Sequence, residues 1–227
     1  MAVDAVIFDW GGTLTPWHTI DVADLWASVC ALNFPATDAT AFAAALHAAE
    51  CQLWRLSAQA HRSATMDALF ELAGIAATAE LLASYVLAWE PHTYTDPDVP
   101  DLFRHLRARG IRVGVLSNTM WPRRWHDDVF RRDGVLDLID GAVYSSEIDW
   151  TKPHPEAFRA AMTAIGVSDP ARCVFVGDRP FDDVYGAKQA GLRAVLIPNS
   201  DVPPYSSAIP DAVISRLAEL PPLLTAW

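Results

Sequence analysis

Short apolar runs rich in β-branched residues recur along this chain, and most of them alternate with stretches of helical spacing. The first run, Val3 to Phe8, stops at Asp9-Trp10-Gly11-Gly12-Thr13. Others are Ile111 to Leu116, Gly141 to Ser145, Cys173 to Val176, Ala194 to Ile197 and Ala212 to Ile214. Runs of this length bounded by turn residues read as strands buried on both faces. Between them, Leu102, Phe103 and Leu106 mark the apolar face of a helix stopped by Gly110. Phe158, Met162 and Ile165 mark a second helix from Pro155 to Ile165, and a third runs from Asp183 to Ala190. Strands alternating with helices predict a parallel sheet covered on both faces, a Rossmann-like α/β core.

The texture changes after the first strand. Residues 17–94 are rich in Ala and Leu, and the spacing predicts helices over Asp21 to Ala31, Asp38 to Ser57, Thr65 to Ala73 and Ala79 to Trp89. Asp21, Asp38 and Thr65 are the expected N-caps. Four helices without an intervening strand predict a helical cap packed on itself. The expected division is therefore a core of residues 1–16 and 95–227 with a cap of residues 17–94. The Pro-rich segment Pro198 to Pro210 is expected to be an ordered loop near the sheet edge.

The chain has 227 residues, about half of them apolar, and a formal net charge of -11. That balance disfavours nucleic acid and anionic membranes as partners, while a small anionic substrate can still bind where local charge opposes the total. The three cysteines, Cys30, Cys51 and Cys173, have no paired spacing, which predicts reduced thiols in a cytoplasmic protein. Asp4 interrupts the N-terminal apolar run, so it does not read as a signal peptide. Nothing in the sequence specifies oligomeric state; a monomer or a homodimer is expected.

Ligands of open parallel sheets bind at the carboxyl ends of the strands. Polar clusters fall at or near such ends: Asp9, Ser117-Asn118, Lys152, and Asp178 with Asp182 and Asp183. They supply a nucleophile, neutral donors, a cation and metal-binding carboxylates, parts that suit phosphoryl transfer. The ordered set Asp9-Trp10-Gly11-Gly12-Thr13-Leu14, Ser117-Asn118, Lys152-Pro153 and Gly177-Asp178-Arg179-Pro180-Phe181-Asp182-Asp183 resembles the four motifs of the haloacid dehalogenase superfamily. The helical insertion resembles the cap that follows that family's first motif.

The resemblance implies a Mg²⁺-dependent hydrolase of a small phosphorylated metabolite. Asp9 would attack phosphorus to form an aspartyl-phosphate, with its other oxygen on the metal. Trp10, Gly11 and Gly12 would cradle the phosphate with backbone N–H groups, and Ser117 and Asn118 would bind it beside them. Lys152 would neutralise it. Asp178 would ligate Mg²⁺ alongside Asp9 and Gly11, the last through its backbone. Either Asp183 or Asp182 would support the metal, with Asp183 preferred.

One position departs from the pattern. Phosphatases of this family usually carry a second Asp two residues after the nucleophile, to protonate the leaving oxygen and later activate water; here that residue is Gly11. Phosphonoacetaldehyde hydrolase tolerates a small residue there but needs a cap lysine, and the two lysines here, Lys152 and Lys188, both lie outside the cap. Dehalogenases place an aromatic residue there and lack the acidic Gly-Asp motif. A missing general acid matters most for poor leaving groups, so Gly11 predicts a preference for acyl phosphates, aryl phosphates or diphosphates, or else an acid supplied by the cap. His18 and Asp21 are the cap candidates.

The cap also offers Trp17, His18, Trp26, Trp54, Arg55, Arg62, Trp89 and His92, of which Arg55 and His18 are expected to meet substrate. Most of the nine tryptophans are expected to be packing residues, with an aromatic substrate pocket as the second reading. Trp121-Pro122-Arg123-Arg124-Trp125 reads either as a second anion site beside the cleft or as a solvated basic turn. Two other functions compete with the phosphohydrolase: a dehalogenase-like enzyme acting on carbon, and a non-catalytic binder of phosphorylated ligands.

Overall fold

The computed structural model describes residues 3–227. Its first strand, β1 (Ala5–Phe8), is followed by four helices, α1 (Val22–Asn33), α2 (Ala36–Ala60), α3 (Met66–Ala73) and α4 (Ala79–Trp89). The chain then alternates: α5 (Val99–Ala108), β2 (Arg112–Ser117), α6 (Arg123–Arg132), β3 (Gly141–Tyr144), α7 (Pro155–Ala164), β4 (Cys173–Gly177), α8 (Gly186–Gln189), β5 (Arg193–Leu196), β6 (Ala212–Val213) and α9 (Leu220–Thr225). Among the described residues the strands form one six-stranded sheet in the order β3-β2-β1-β4-β5-β6, every pairing parallel. β1 is central, flanked by β2 and β4, and the chain changes direction across the sheet there. Such a switch point opens a crevice at the carboxyl ends of the strands.

Side-chain alternation divides the core. Val6 and Phe8 of β1, with Val113, Val115, Val174 and Val176, pack against Val99, Phe103 and Leu106 of α5 and Leu220 of α9. Ala5 and Ile7 face the other way, with Phe175, against Phe158, Ala161 and Met162 of α7. The inserted helices have their own core, built from Leu25, Trp26, Val29, Leu46, Leu69, Phe70, Leu81 and Tyr85. Met120, Trp121 and Trp125 of the sheet-bearing part join that same cluster, so the two parts meet through aromatic packing. No helix of the described residues is long and apolar enough to cross a membrane.

Several local expectations are corrected. Asp21 and Thr65 cap their helices through side-chain acceptors, but α2 begins two residues before Asp38, after Pro35, and Asp38 sits in its first turn. The expected helix from Asp183 to Ala190 is instead a π-helical turn, Pro180–Tyr185, running into the short α8. The basic segment beginning at Trp121 is helical from Arg123 and not a turn, and of its residues Trp121 lines the main cavity while Arg123 and Arg124 do not. It starts α6, where Trp125, His126 and Phe130 are buried, and Arg123 is engaged by Glu147 and the Tyr144 ring.

Candidate active site

Two glycines let the strand ends crowd together. Gly12 has φ +82°, which favours glycine, and a Cβ there would lie 2.4 Å from Asp178 Oδ2. A Cβ on Gly177 would lie 2.4 Å from the Asp183 carboxyl. The turn after β1 is closed by the Trp10 carbonyl, which accepts from the N–H groups of Thr13, Leu14 and Thr15. Asp9 therefore leaves the end of β1 directly beside Asp178, which follows β4.

Lys152 ties the carboxylates together. Its Nζ donates to Asp9 Oδ1 at 2.6 Å and to Asp183 Oδ1 at 2.7 Å, and it is only 3% exposed. Burial alone would lower the Lys152 ammonium, but the charges of Asp183 and Asp9 more than reverse this and hold it protonated. Asp183 also accepts from the Arg179 N–H through Oδ2 at 2.9 Å, so both its oxygens have protein donors. Burial raises its carboxyl above the ordinary range, partly offset by Lys152.

Asp178 is different. Its Oδ1 accepts a long bond from Thr13 Oγ1, at 3.4 Å, while Oδ2 is buried without a partner. Burial raises its carboxyl first, and the charges of Asp9 and Asp183 raise it further. Oxygens of Asp9, Asp178 and Asp183 all lie within 4.8 Å of one another. A buried carboxylate cluster that one ammonium only partly neutralises, with an orphaned oxygen, fits a hard divalent cation.

A cavity of about 390 Å³ opens above the cluster. Of the expected site residues, Asp9, Trp10, Gly11, Gly12, His18, Ser117, Asn118 and Lys152 line it, as does Asp182. Asn118 is occupied otherwise than expected: its amide clasps the Lys152 backbone, accepting at 2.8 Å and donating at 2.9 Å. Arg55, expected to meet substrate, is an exposed residue of α2 away from the cavity wall, because the apolar face of the helix turns Leu46, Ala49 and Glu50 inward and Arg55 out. Arg62 lies over the Trp150 ring instead of in the cavity. Asp21 is spent on capping α1. His18 faces His92 across the two connections to the helical part, Nδ1 to Nδ1 at 2.8 Å. Burial, then His18, lowers the His92 imidazole.

A Cβ on Gly11 would meet no heavy atom within 4 Å. Apart from its chain neighbours Trp10 and Gly12, no residue approaches the position where a side chain would begin. Two cavity-lining charges lay outside the sequence expectations. Arg179, half-buried, sits 3.6 Å from Asp182 and over Trp17. Glu50, 7% exposed, is the other; a charged residue on the apolar face of a helix was its signal.

The family model for haloacid dehalogenase-like hydrolases matches residues 3–191. The chain belongs to the haloacid dehalogenase-like hydrolase family. It is 30% identical over 162 residues to a glyceraldehyde 3-phosphate phosphatase of Methanopyrus kandleri, covering 68% of each chain. It spans less than half the length of several other curated relatives that it matches. A solved HAD phosphatase from Thermococcus onnurineus is similar over 98% of both chains, with TM-score 0.68 and 26% identity. A 2-haloacid dehalogenase from Pseudomonas syringae pv. Tomato shares the fold at TM-score 0.67 and 24% identity over 99% of both chains.

Proposed function

We propose that this protein is a Mg²⁺-dependent phosphohydrolase of a small metabolite, working through an aspartyl-phosphate on Asp9. The observation that carries this reading is the convergence of Asp9, Lys152, Asp178 and Asp183 beneath one cavity, with Asp178 Oδ2 unpartnered. Asp9 and Asp178 would hold the ion, with the Gly11 carbonyl, and Asp183 would support the site by fixing Lys152 and the Arg179 backbone. When bound, the ion supplies positive charge to the phosphoryl oxygens. Asp182, which lines the cavity next to Arg179, is a less suitable metal-supporting residue than the buried Asp183.

The chain's own residues do the rest. Asp9 attacks phosphorus: an Asp9 oxygen–phosphorus bond forms, the bond to the leaving oxygen breaks, and its electron pair leaves with that oxygen. Water then attacks the phosphoryl group and releases the Asp9 carboxylate and inorganic phosphate. Lys152 balances charge on Asp9 throughout, and Asn118 holds the Lys152 backbone in register. Ser117, 3% exposed at the end of β2, binds a phosphoryl oxygen. The inserted helices supply part of the cavity wall, with Glu50, Trp54, Tyr85 and Trp89.

Gly11 sets the substrate preference. With no carboxyl and nothing in its place, the leaving oxygen departs unprotonated, which favours acyl phosphates, aryl phosphates and diphosphates. The acidic cluster favours this chemistry over dehalogenation. A screen of phosphorylated metabolites with Mg²⁺, including those classes, run beside Asp9→Asn, tests the reading. Turnover that EDTA and Asp9→Asn both abolish is expected; EDTA-resistant release of halide from a haloacid would replace phosphoryl transfer with carbon chemistry.

A further inference from the structure

The cavity has two chemically different ends. At one end lie the carboxylates, and the cavity's lysine and arginine are both engaged there, Lys152 with Asp9 and Asp183, Arg179 with Asp182. Elsewhere its wall is aromatic, with Trp54, Tyr85, Trp89 and Trp121. The rings of Trp89 and Trp121 meet at 86° with centroids 5.7 Å apart, and Tyr85 meets Trp121 at 72° and 6.2 Å. These three rings meet at corners instead of stacking on one another, Tyr85 stacks on the buried Trp26, and Trp54 completes an aromatic box as a further part of the lining. Among the described residues, the one carboxylate in that wall is Glu50.

Glu50 is held as an acceptor. The Trp26 indole N–H donates to its Oε2 at 2.7 Å, and an indole nitrogen can only donate. Burial raises the Glu50 carboxyl above its ordinary value, and the Trp26 and Trp54 N–H groups and nearby His47 offset this only in part, so a cation beside it would favour the charged form. No lysine or arginine of the described residues forms an ion pair with it. A buried carboxylate wants a positive partner, and aromatic faces attract the same kind of group. Conversely, a substrate with a carboxylate on its leaving group would meet no lysine or arginine in this wall.

We infer that the leaving group of the substrate carries an ammonium cation, bound by Glu50 within the Trp54, Tyr85, Trp89 and Trp121 box. The substrate class is thus a phosphoryl compound whose leaving group bears an ammonium, with choline phosphate as its simplest probe, an inference that rests on the phosphohydrolase reading above. Among alkyl esters, which Gly11 disfavours as a class, one with a positive charge a few bonds from the leaving oxygen is disfavoured least, because that charge stabilises the negative charge developing there.

The test uses the whole chain. With Mg²⁺, kcat/KM is measured for choline phosphate, for its uncharged isostere 3,3-dimethylbutyl phosphate, and for p-nitrophenyl phosphate as a general phosphatase probe. The ratio of the first to the second should fall about 30-fold in Glu50→Gln, which keeps the shape and removes the charge. Comparing one ratio in two proteins cancels the intrinsic reactivity of the esters and any general loss of activity. A second measurement needs no variant, metal or phosphate: choline, titrated against the wild-type tryptophan fluorescence, should bind at least about tenfold more tightly than 3,3-dimethylbutanol. Hydrolysis of p-nitrophenyl phosphate with equal binding of the two alcohols, or with an unchanged ratio in a folded Glu50→Gln protein, would overturn the cation site and leave the phosphatase reading standing. Preferential choline binding with no ester hydrolysed would overturn the phosphatase reading and keep the cation site.

Discussion

Restoring a carboxyl at position 11 isolates the role of its absence. The backbone of Gly11 does not adopt a positive φ, and a Cβ there meets open space, so Gly11→Asp should be accommodated without strain. The new side chain would enter the cavity that Asp9 lines, and its own carboxyl would be pushed upward by the neighbouring carboxylates, toward the protonated form an acid needs. A positioned general acid is worth roughly 10²–10⁴ in rate, or about 3–5 kcal/mol of barrier. That gain applies to a leaving group that needs protonation and hardly at all to one that does not. With Mg²⁺, kcat/KM for ethyl phosphate should therefore rise by about two to four orders of magnitude, and that for p-nitrophenyl phosphate by less than about tenfold. Equal gains on both esters, or no gain on ethyl phosphate in a folded variant, would show that the missing acid does not limit this enzyme. Equal wild-type rates on the two esters would refute the reasoning even sooner.

Removing the buried ammonium by Lys152→Met leaves Asp9 and Asp183 facing each other unpaired, at a cost of about 3–5 kcal/mol, which thermal or urea unfolding of the metal-free protein would measure; a change below about 1 kcal/mol would mean that the pair does not hold the site together. Mg²⁺ should raise the melting temperature, by the equivalent of about 2.7 kcal/mol at a hundredfold excess over Kd, and Asp178→Asn should remove most of that gain; a gain that survives the substitution would put the ion elsewhere. His126, fully buried against Tyr144 and Trp10, has its imidazole lowered from 6.5 to about 3, first by burial and then by Arg123. Its stability contribution is complete above pH 6.5 and is lost as pH falls toward about 3, by up to about 5 kcal/mol at about 1.4 kcal/mol per pH unit. Unfolding measured from pH 7 to 4 should show a shallower acid slope in His126→Gln than in the wild type; identical slopes would mean that His126 is not held neutral.

Much of the convergence of Asp9, Lys152, Asp178 and Asp183 was legible from sequence because strand topology and motif order act together. Asp9 and Ser117 sit at strand ends by periodicity alone, and the acidic cluster follows a glycine that only close approach explains. What the sequence hid are contacts that depend on side-chain direction. Asn118 belongs beside Lys152 but serves its backbone, which no spacing reveals. Arg55 and Glu50 lie on one helix, five residues apart, and differ in the face that the helix buries. The helix α6 was concealed because six of its ten residues, Arg123, Arg124, Asp127, Asp128, Arg131 and Arg132, are charged; its buried stripe of Trp125, His126 and Phe130 is too narrow to dominate the pattern.

The charge at the strand ends connects fold to function. Asp9, Asp178 and Asp183 with Lys152 total two negative charges when all are ionised, and the crowding required by Gly12 and Gly177 keeps them close. Without another cation, the fold can relieve this by protonating the member that Lys152 does not reach. Asp178 is that member: it has the orphaned oxygen, and its carboxyl is raised further than that of Asp183. A divalent ion would supply the same relief without a proton, leaving the cluster neutral and Asp9 free to attack. The crowding required by the glycines is thus a cost to the folded chain, and a divalent ion bound there would link the stability of this protein to the proposed chemistry.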